Sequence, residues 1–253
     1  MSYLGSPETM GRNVYAVVGC SGGIGLATTE LLLERGVSVL GLTHVKNLTP
    51  DLSRLFSAYE HFNCITGFDF NSDLKNHFTL ISEKKIRVSH IIVCTGSLNK
   101  ELYLSLDSSM FSIEMFRNCI YPLEVVRAFA KTMLTDRKKN RSITLVSTIS
   151  TKLGNPGRLT YVASKGALEA SMRVLCNELG RFGIRVNIVS PGLINTKMLK
   201  NNTDETQIDE FKKRIALGRV GEAKEVARVL YFLSSDDASY VNGTIIEVDG
   251  GTF

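Results

Sequence analysis

Tyr161-Val-Ala-Ser-Lys165 places a phenol and an ammonium four residues apart. On a helix that spacing puts both side chains on one face, near enough for the cation to change the acidity of the phenol. A phenol tuned in this way can give a proton to an oxygen that is gaining charge, or take one from an alcohol. The same spacing also occurs on helices that carry a half-buried Tyr beside a solvated Lys, so the pair takes its meaning from what surrounds it. A second cluster lies far upstream, Gly19-Cys-Ser-Gly-Gly-Ile-Gly25. Glycines in a turn between a strand and a helix let the backbone approach a pyrophosphate, and the helix N-terminus faces its negative charge. Such a turn can also be no more than a tight turn. Here an apolar run precedes it and a helical pattern follows, which is the context a dinucleotide site needs.

The elements that must position these groups are legible as an alternation. Val14–Val18, Val37–Leu40, His90–Val93, Ser142–Val146, Arg185–Val189 and Thr244–Val248 are short runs rich in Val and Ile. Near-continuous apolar strands indicate a sheet covered on both faces, hence a parallel one. Helical patterns run between them over Gly25–Arg35, Asp73–Lys84, Ser112–Leu134, Tyr161–Phe182 and Ala223–Leu233. This predicts an α/β fold, a single doubly wound parallel sheet with helices on both faces and ligands held where the strands end. The 253 residues, 43% hydrophobic and 22% charged, fit one domain over 1–253, with residues 1–11 read as a loose leader.

Composition excludes several function classes. A net charge of +5, with basic residues spread out apart from Arg137-Lys-Lys-Asn-Arg141, gives no footprint for nucleic acid. Five scattered cysteines without a C-x-x-C spacing or a nearby His point away from a disulfide scaffold or a metal site and toward a reducing compartment. No apolar run is long enough to span a bilayer, and no basic segment with an apolar core opens the chain. The expectation is a cytoplasmic protein without a membrane or metal.

The glycine spacing G-x-x-x-G-x-G together with Tyr161-x-x-x-Lys165 resembles the short-chain dehydrogenase/reductase family, and the likeness runs from Val14 to Gly251. Further matches follow in order. Gly19, Ser21, Gly22, Gly23, Ile24 and Gly25 occupy the phosphate-binding turn. Asp69 and Phe70 take the place of the acidic segment that holds the adenine edge. Cys94-Thr95-Gly96 stands for the family's N-A-G turn, and Asn118 for the Asn of the catalytic set. Pro191, Gly192, Ile194 and Thr196 match the loop that carries the nicotinamide amide. The resemblance implies hydride transfer between a ketone and a secondary alcohol, with Tyr161 as general acid and base. Lys165 would lower its pKa and hold the nicotinamide ribose, and Asn118 would fix a water next to Lys165. It also implies a homotetramer.

Several positions depart from the family pattern. Thr148 stands thirteen residues before Tyr161, where the family has a serine that hydrogen-bonds the substrate carbonyl. Threonine keeps the hydroxyl but is stiffer. Ser147, next to it, should point to the other side of the strand. Val18 and Cys94 replace residues that brace the cofactor loops. After the second strand, Leu42-Thr-His44 lacks the Asp that would hold a ribose diol, so Thr43 and His44, with Lys46, favour the 2′-phosphate of NADP(H) over NAD(H). The C-terminal half is most similar to 3-oxoacyl-[acyl-carrier-protein] reductases, which makes a thioester-linked carbonyl the candidate substrate and an acyl carrier protein a candidate partner. Lys139, Arg141, Arg173 and Arg181 would supply charge for it. A non-catalytic dinucleotide-binding scaffold is the alternative, and intact Asn118, Tyr161 and Lys165 argue against it.

Overall fold

A computed structural model describes residues 2–3, 13–68, 74–134 and 140–252. In chain order the elements are β1 (Ser2–Tyr3), β2 (Val14–Val18), α1 (Gly23–Glu34), β3 (Ser38–Thr43), α2 (Pro50–Ala58), β4 (Phe62–Thr66), α3 (Leu74–Glu83) and β5 (Val88–Val93). They continue with α4 (Ser108–Met115), α5 (Tyr121–Leu134), β6 (Arg141–Val146), α6 (Ser150–Leu153), α7 (Leu159–Gly180) and β7 (Ile184–Pro191). The C-terminal part holds β8 (Ile194–Asn195), α8 (Lys197–Asn202), α9 (Glu205–Lys212), β9 (Gly221–Glu222), α10 (Ala223–Ser234) and β10 (Ile245–Val248).

Seven strands form a parallel sheet in the order β4-β3-β2-β5-β6-β7-β10. Every residue of β2, β3, β5, β6 and β7 is buried, which is why these strands are rich in Val, Ile and Leu. Alternation divides the core between two faces. Val14, Ala16 and Val18 of β2 join Val125, Phe129, Leu168 and Met172 under α5 and α7. Tyr15 and Val17 join Leu32, Leu33, Leu230 and Leu233 under α1 and α10. The strand order reverses between β2 and β5, so the loops after these two strands diverge and leave a crevice at their C-terminal ends.

Three parts differ from expectation. Phe62–Thr66 is a strand and Pro50–Ala58 a helix, although neither stood out in the sequence. Asn63, buried, interrupts the apolar run of β4. The start of α2 did carry its signals: Thr49 caps it by accepting from the Leu52 N–H, and Pro50 follows directly. Second, the helix expected from Ser112 begins at Ser108, capped by Asp107, and runs to Leu134 through a π-helical segment at Phe116–Ile120. Third, Ser2–Tyr3, expected within a loose leader, pairs antiparallel with β4, and the Tyr3 ring meets Phe56 edge-on at 5.9 Å. The rest of that leader lies outside the described residues.

Candidate active site

The glycine turn is shaped by close approaches. Gly19 adopts φ +86° and its N–H donates to the Leu42 carbonyl at 2.8 Å. A Cβ on Gly25 would lie 2.1 Å from the Gly19 carbonyl oxygen, and one on Gly23 would lie 2.6 Å from the Thr196 methyl. These contacts seat the first turn of α1 on the end of β2 and bring the loop after β7 against it. No side chain caps α1, and its first turn carries no acidic residue, so its N-terminal N–H groups face the crevice as an anion site. Thr95 Oγ1, on the far wall of the crevice, is buried without a hydrogen-bond partner among the described residues. A turn with no room for side chains, an uncapped helix and an orphaned hydroxyl together fit a dinucleotide phosphate and its ribose.

At the adenosine end, Ser21 and Thr43 share a hydrogen bond of 2.6 Å, and Thr43 is buried. Thr43 therefore orients Ser21 and does not offer its hydroxyl to solvent. His44 and Lys46 are exposed. Asp69 and Phe70 lie outside the described residues.

Tyr161 and Lys165 are buried one turn apart on α7. With Thr148, Thr95, Gly96, Pro191, Gly192, Ile194 and Thr196 they line a cleft of about 140 Å³ at the ends of β5, β6 and β7. Lys165 Nζ donates to the Val146 carbonyl at 2.8 Å and the Thr95 carbonyl at 3.2 Å. Asn118 is fully buried in the π-helical segment. Its Oδ1 accepts from the Ser97 N–H at 2.8 Å and its Nδ2 donates to the Ser97 carbonyl at 2.9 Å. A Cβ on Gly96 would lie 3.4 Å from both Asn118 Oδ1 and Lys165 Nζ, so the two polar groups meet across this glycine.

Electrostatics separate the pair. Burial pushes the Tyr161 phenol above its ordinary value; the Thr148 side chain and the Arg158 guanidinium draw it back, and the Glu114 carboxylate pushes it up. The phenol thus stays protonated at neutral pH. Burial pulls the Lys165 ammonium down to about 8, against the attraction of Cys94, Cys119 and Glu169. Arg158, a cation that the spacing did not suggest, thus also acts on the phenol.

Thr148 faces the cleft beside Tyr161, and its Oγ1 accepts from the Ser150 N–H at 3.2 Å. Ser147 also borders the cleft, but its hydroxyl is committed to Glu169 Oε1, to which it donates at 2.6 Å. The ladder to β7 continues past β6, with the Ser147 and Ile149 N–H groups bonded to the Val189 and Pro191 carbonyls, so strand alternation holds through this point. Thr148→Ala is accordingly expected to lower kcat/KM for ketone reduction by roughly ten- to a thousand-fold. Thr148→Ser should retain most activity and Ser147→Ala should be nearly silent. Steady-state kinetics of the three variants check this, and the reverse ranking would shift the register by one residue.

Two residues escaped the sequence reading. Glu114, buried, accepts from Thr160 Oγ1 at 2.6 Å and from the Asn99 N–H at 2.7 Å, tying α4 to the first turn of α7 just before Tyr161. Arg158 opens α7. A charged residue one turn before the tyrosine was a signal available in Arg158-Leu-Thr-Tyr161; nothing in the sequence marked Glu114 as inward-facing.

A doubly wound sheet with a glycine turn and a buried Tyr-Lys pair at its strand ends defines a class of dinucleotide-dependent oxidoreductases. A family model described as enoyl-(acyl carrier protein) reductase matches residues 19–252. The chain belongs to the short-chain dehydrogenase/reductase family. It is 32% identical over 242 residues to the 3-oxoacyl-[acyl-carrier-protein] reductase of Homo sapiens and 31% identical over 242 residues to that of Bos taurus. Each alignment covers 94% of this chain and 97% of the relative. A solved structure of 4-hydroxyisoleucine dehydrogenase complexed with NADH matches with a TM-score of 0.87 at 25% identity, covering 95% of this chain and 98% of that one.

Proposed function

We propose that the protein is an NADP(H)-dependent ketoreductase that acts on 3-oxoacyl compounds, with Tyr161 as the proton donor. The observation that carries this reading is that Tyr161 and Thr148, both hydroxyl-bearing, line one cleft beside buried Lys165. Two hydroxyl donors on one cleft suit an oxygen that first gains negative charge and then a proton, which is a carbonyl and not a carbon–carbon double bond. The bound dinucleotide supplies the hydride. Thr148 would hold the ketone oxygen, Tyr161 would protonate it, and Lys165, with two donors spent on backbone carbonyls, keeps its third for a ribose hydroxyl. Asn118 fixes the Ser97 backbone at the rim of the cleft. The 3-oxoacyl choice follows the human and bovine relatives named above. NADPH oxidation by the purified protein across β-ketoacyl thioesters, cyclic ketones, quinones and keto-sugars tests the reading; no consumption with any of them would overturn it.

The NADP(H) preference rests on the end of β3, where no carboxylate stands to repel a 2′-phosphate and His44 and Lys46 are exposed. Because Thr43 is buried against Ser21, His44 is the position that should set the preference. Wild-type kcat/KM should favour NADPH over NADH. His44→Asp should lower that ratio by about tenfold or more, since it adds repulsion for the phosphate and an acceptor for a ribose diol. Equal kcat/KM for the two cofactors in the wild type would remove the argument.

Homotetramer formation is part of the same reading. Ile113, Phe116 and Ile120 form an exposed apolar stripe along the α4–α5 helix, and Val174 is exposed on α7. An apolar stripe on one long helix, with an exposed Val174 on the long helix beside it, suits pairing with symmetry mates. Light scattering at micromolar concentration should give four times the chain mass; a monomer would contradict it. The reading also places the protein in the cytosol, which fits its five free cysteines.

A further inference from the structure

Arg158 borders three cavities at once: the catalytic cleft, an adjoining cavity of about 60 Å³ and an outer cavity of about 750 Å³. It is half-buried at the start of α7, one helical turn before Tyr161. Its Nη1 donates to Ser150 Oγ at 3.2 Å, and its guanidinium lies 6.0 Å from the centre of the Phe211 ring. Among the described residues no carboxylate pairs with it. Most of its N–H donors are therefore left for a ligand, in a place where burial already disfavours the charge. A guanidinium withdrawn from water without a counter-charge costs stability that an anionic ligand would offset. Its planar fork suits a carboxylate in particular.

We propose that Arg158 binds a carboxylate of the substrate, so that the cleft selects short 3-oxo acids over their neutral esters and thioesters. The inference rests on the ketoreductase reading and narrows its substrate class. Arg158 is the N-cap of α7 and lines the same cleft as Tyr161, three residues further on, so an anion on Arg158 lies close to a ketone oxygen on Tyr161. A 3-oxo acid meets that separation. A phosphate at the end of a long carrier arm does not.

The test measures kcat/KM for acetoacetate, methyl acetoacetate and the N-acetylcysteamine thioester of acetoacetate, using wild type, Arg158→Gln and Arg158→Lys. The wild type should prefer the acid by about tenfold or more. Arg158→Gln should lower kcat/KM for the acid by about 30- to 1000-fold, mainly through KM, and should cost the ester and the thioester, which lack the carboxylate, at least about tenfold less. Arg158→Lys should recover part of the loss because it keeps the charge without the fork. A wild type that favours the ester or the thioester, or an Arg158→Gln variant that loses all three substrates alike, would overturn the proposal. If no carbonyl is reduced, the ketoreductase reading fails by itself. Calorimetric titration of acetoacetate into NADPH-saturated Tyr161→Phe protein, with and without Arg158→Gln, then decides the carboxylate site. Binding that disappears with Arg158→Gln supports it, and binding that is absent or unchanged overturns it.

Discussion

Tyr161→Phe is expected to lower kcat for ketone reduction by about 10²- to 10⁴-fold, the range supplied by a positioned general acid, while NADPH still binds with near-native affinity. The substitution removes only the phenolic oxygen. Tyr161 is buried and packed at the cleft, so the Phe ring keeps its volume and the first turn of α7 stays in place. Burial holds the phenol protonated at neutral pH, which is the form a ketone needs when its oxygen takes up charge. The loss should therefore fall on kcat and not on cofactor affinity. Fluorescence titration with NADPH and steady-state kinetics separate the two quantities. Near-native kcat in Tyr161→Phe would remove Tyr161 from the proton transfer.

Lys165→Met should cost about a thousand-fold in kcat/KM, shared between rate and cofactor affinity. The ammonium is buried, supports the carbonyls of Thr95 after β5 and of Val146 at the end of β6, and has one donor left for a ribose hydroxyl. Its titration gives the variant a second signature. With a folded value of about 8, Lys165 loses its charge as pH rises through that point, so wild-type kcat/KM for reduction should fall above about pH 8. Stability moves the other way. The folded value lies below the unfolded value of about 10.4, so between these two values the unfolded chain binds more protons than the folded one. The burden of the buried charge is fully present below about 8 and is relieved as pH rises from there toward about 10.4. Wild-type stability, measured as the difference from Lys165→Met, should thus rise over the window in which activity falls. A difference that is flat with pH would show that Lys165 titrates as a solvated amine.

The sheet was legible because burial on both faces favours strands rich in Val, Ile and Leu, and β2, β5, β6 and β7 all show this pattern. β4 was not, since Phe62–Thr66 holds a single Val or Ile, Ile65, and so lacks that signal although it is buried and paired with β3. The π-helical segment around Asn118 was invisible because it depends on backbone hydrogen bonding and leaves no composition mark. Thr148 was found by its interval to Tyr161, and its register follows from the regular end of β6. Thr43 was assigned to the phosphate from its position, yet its burial depends on Ser21 packing over it, a contact between residues far apart in sequence. Glu114 belongs to the same class: its meaning comes from where α4 and α7 meet, which only the folded chain reveals.

The central claim is that Tyr161, beside Thr148 and Lys165, protonates a ketone as NADPH is consumed. Its most direct test is turnover of the acetoacetyl moiety, offered as the free acid and as the N-acetylcysteamine thioester, with the product identified by mass spectrometry in parallel with NADPH oxidation. The account predicts one equivalent of the 3-hydroxy product per NADPH oxidised by the wild type with at least one of the two, and none above background with Tyr161→Phe. Tight NADPH binding without product, or product formed equally by both proteins, would contradict it.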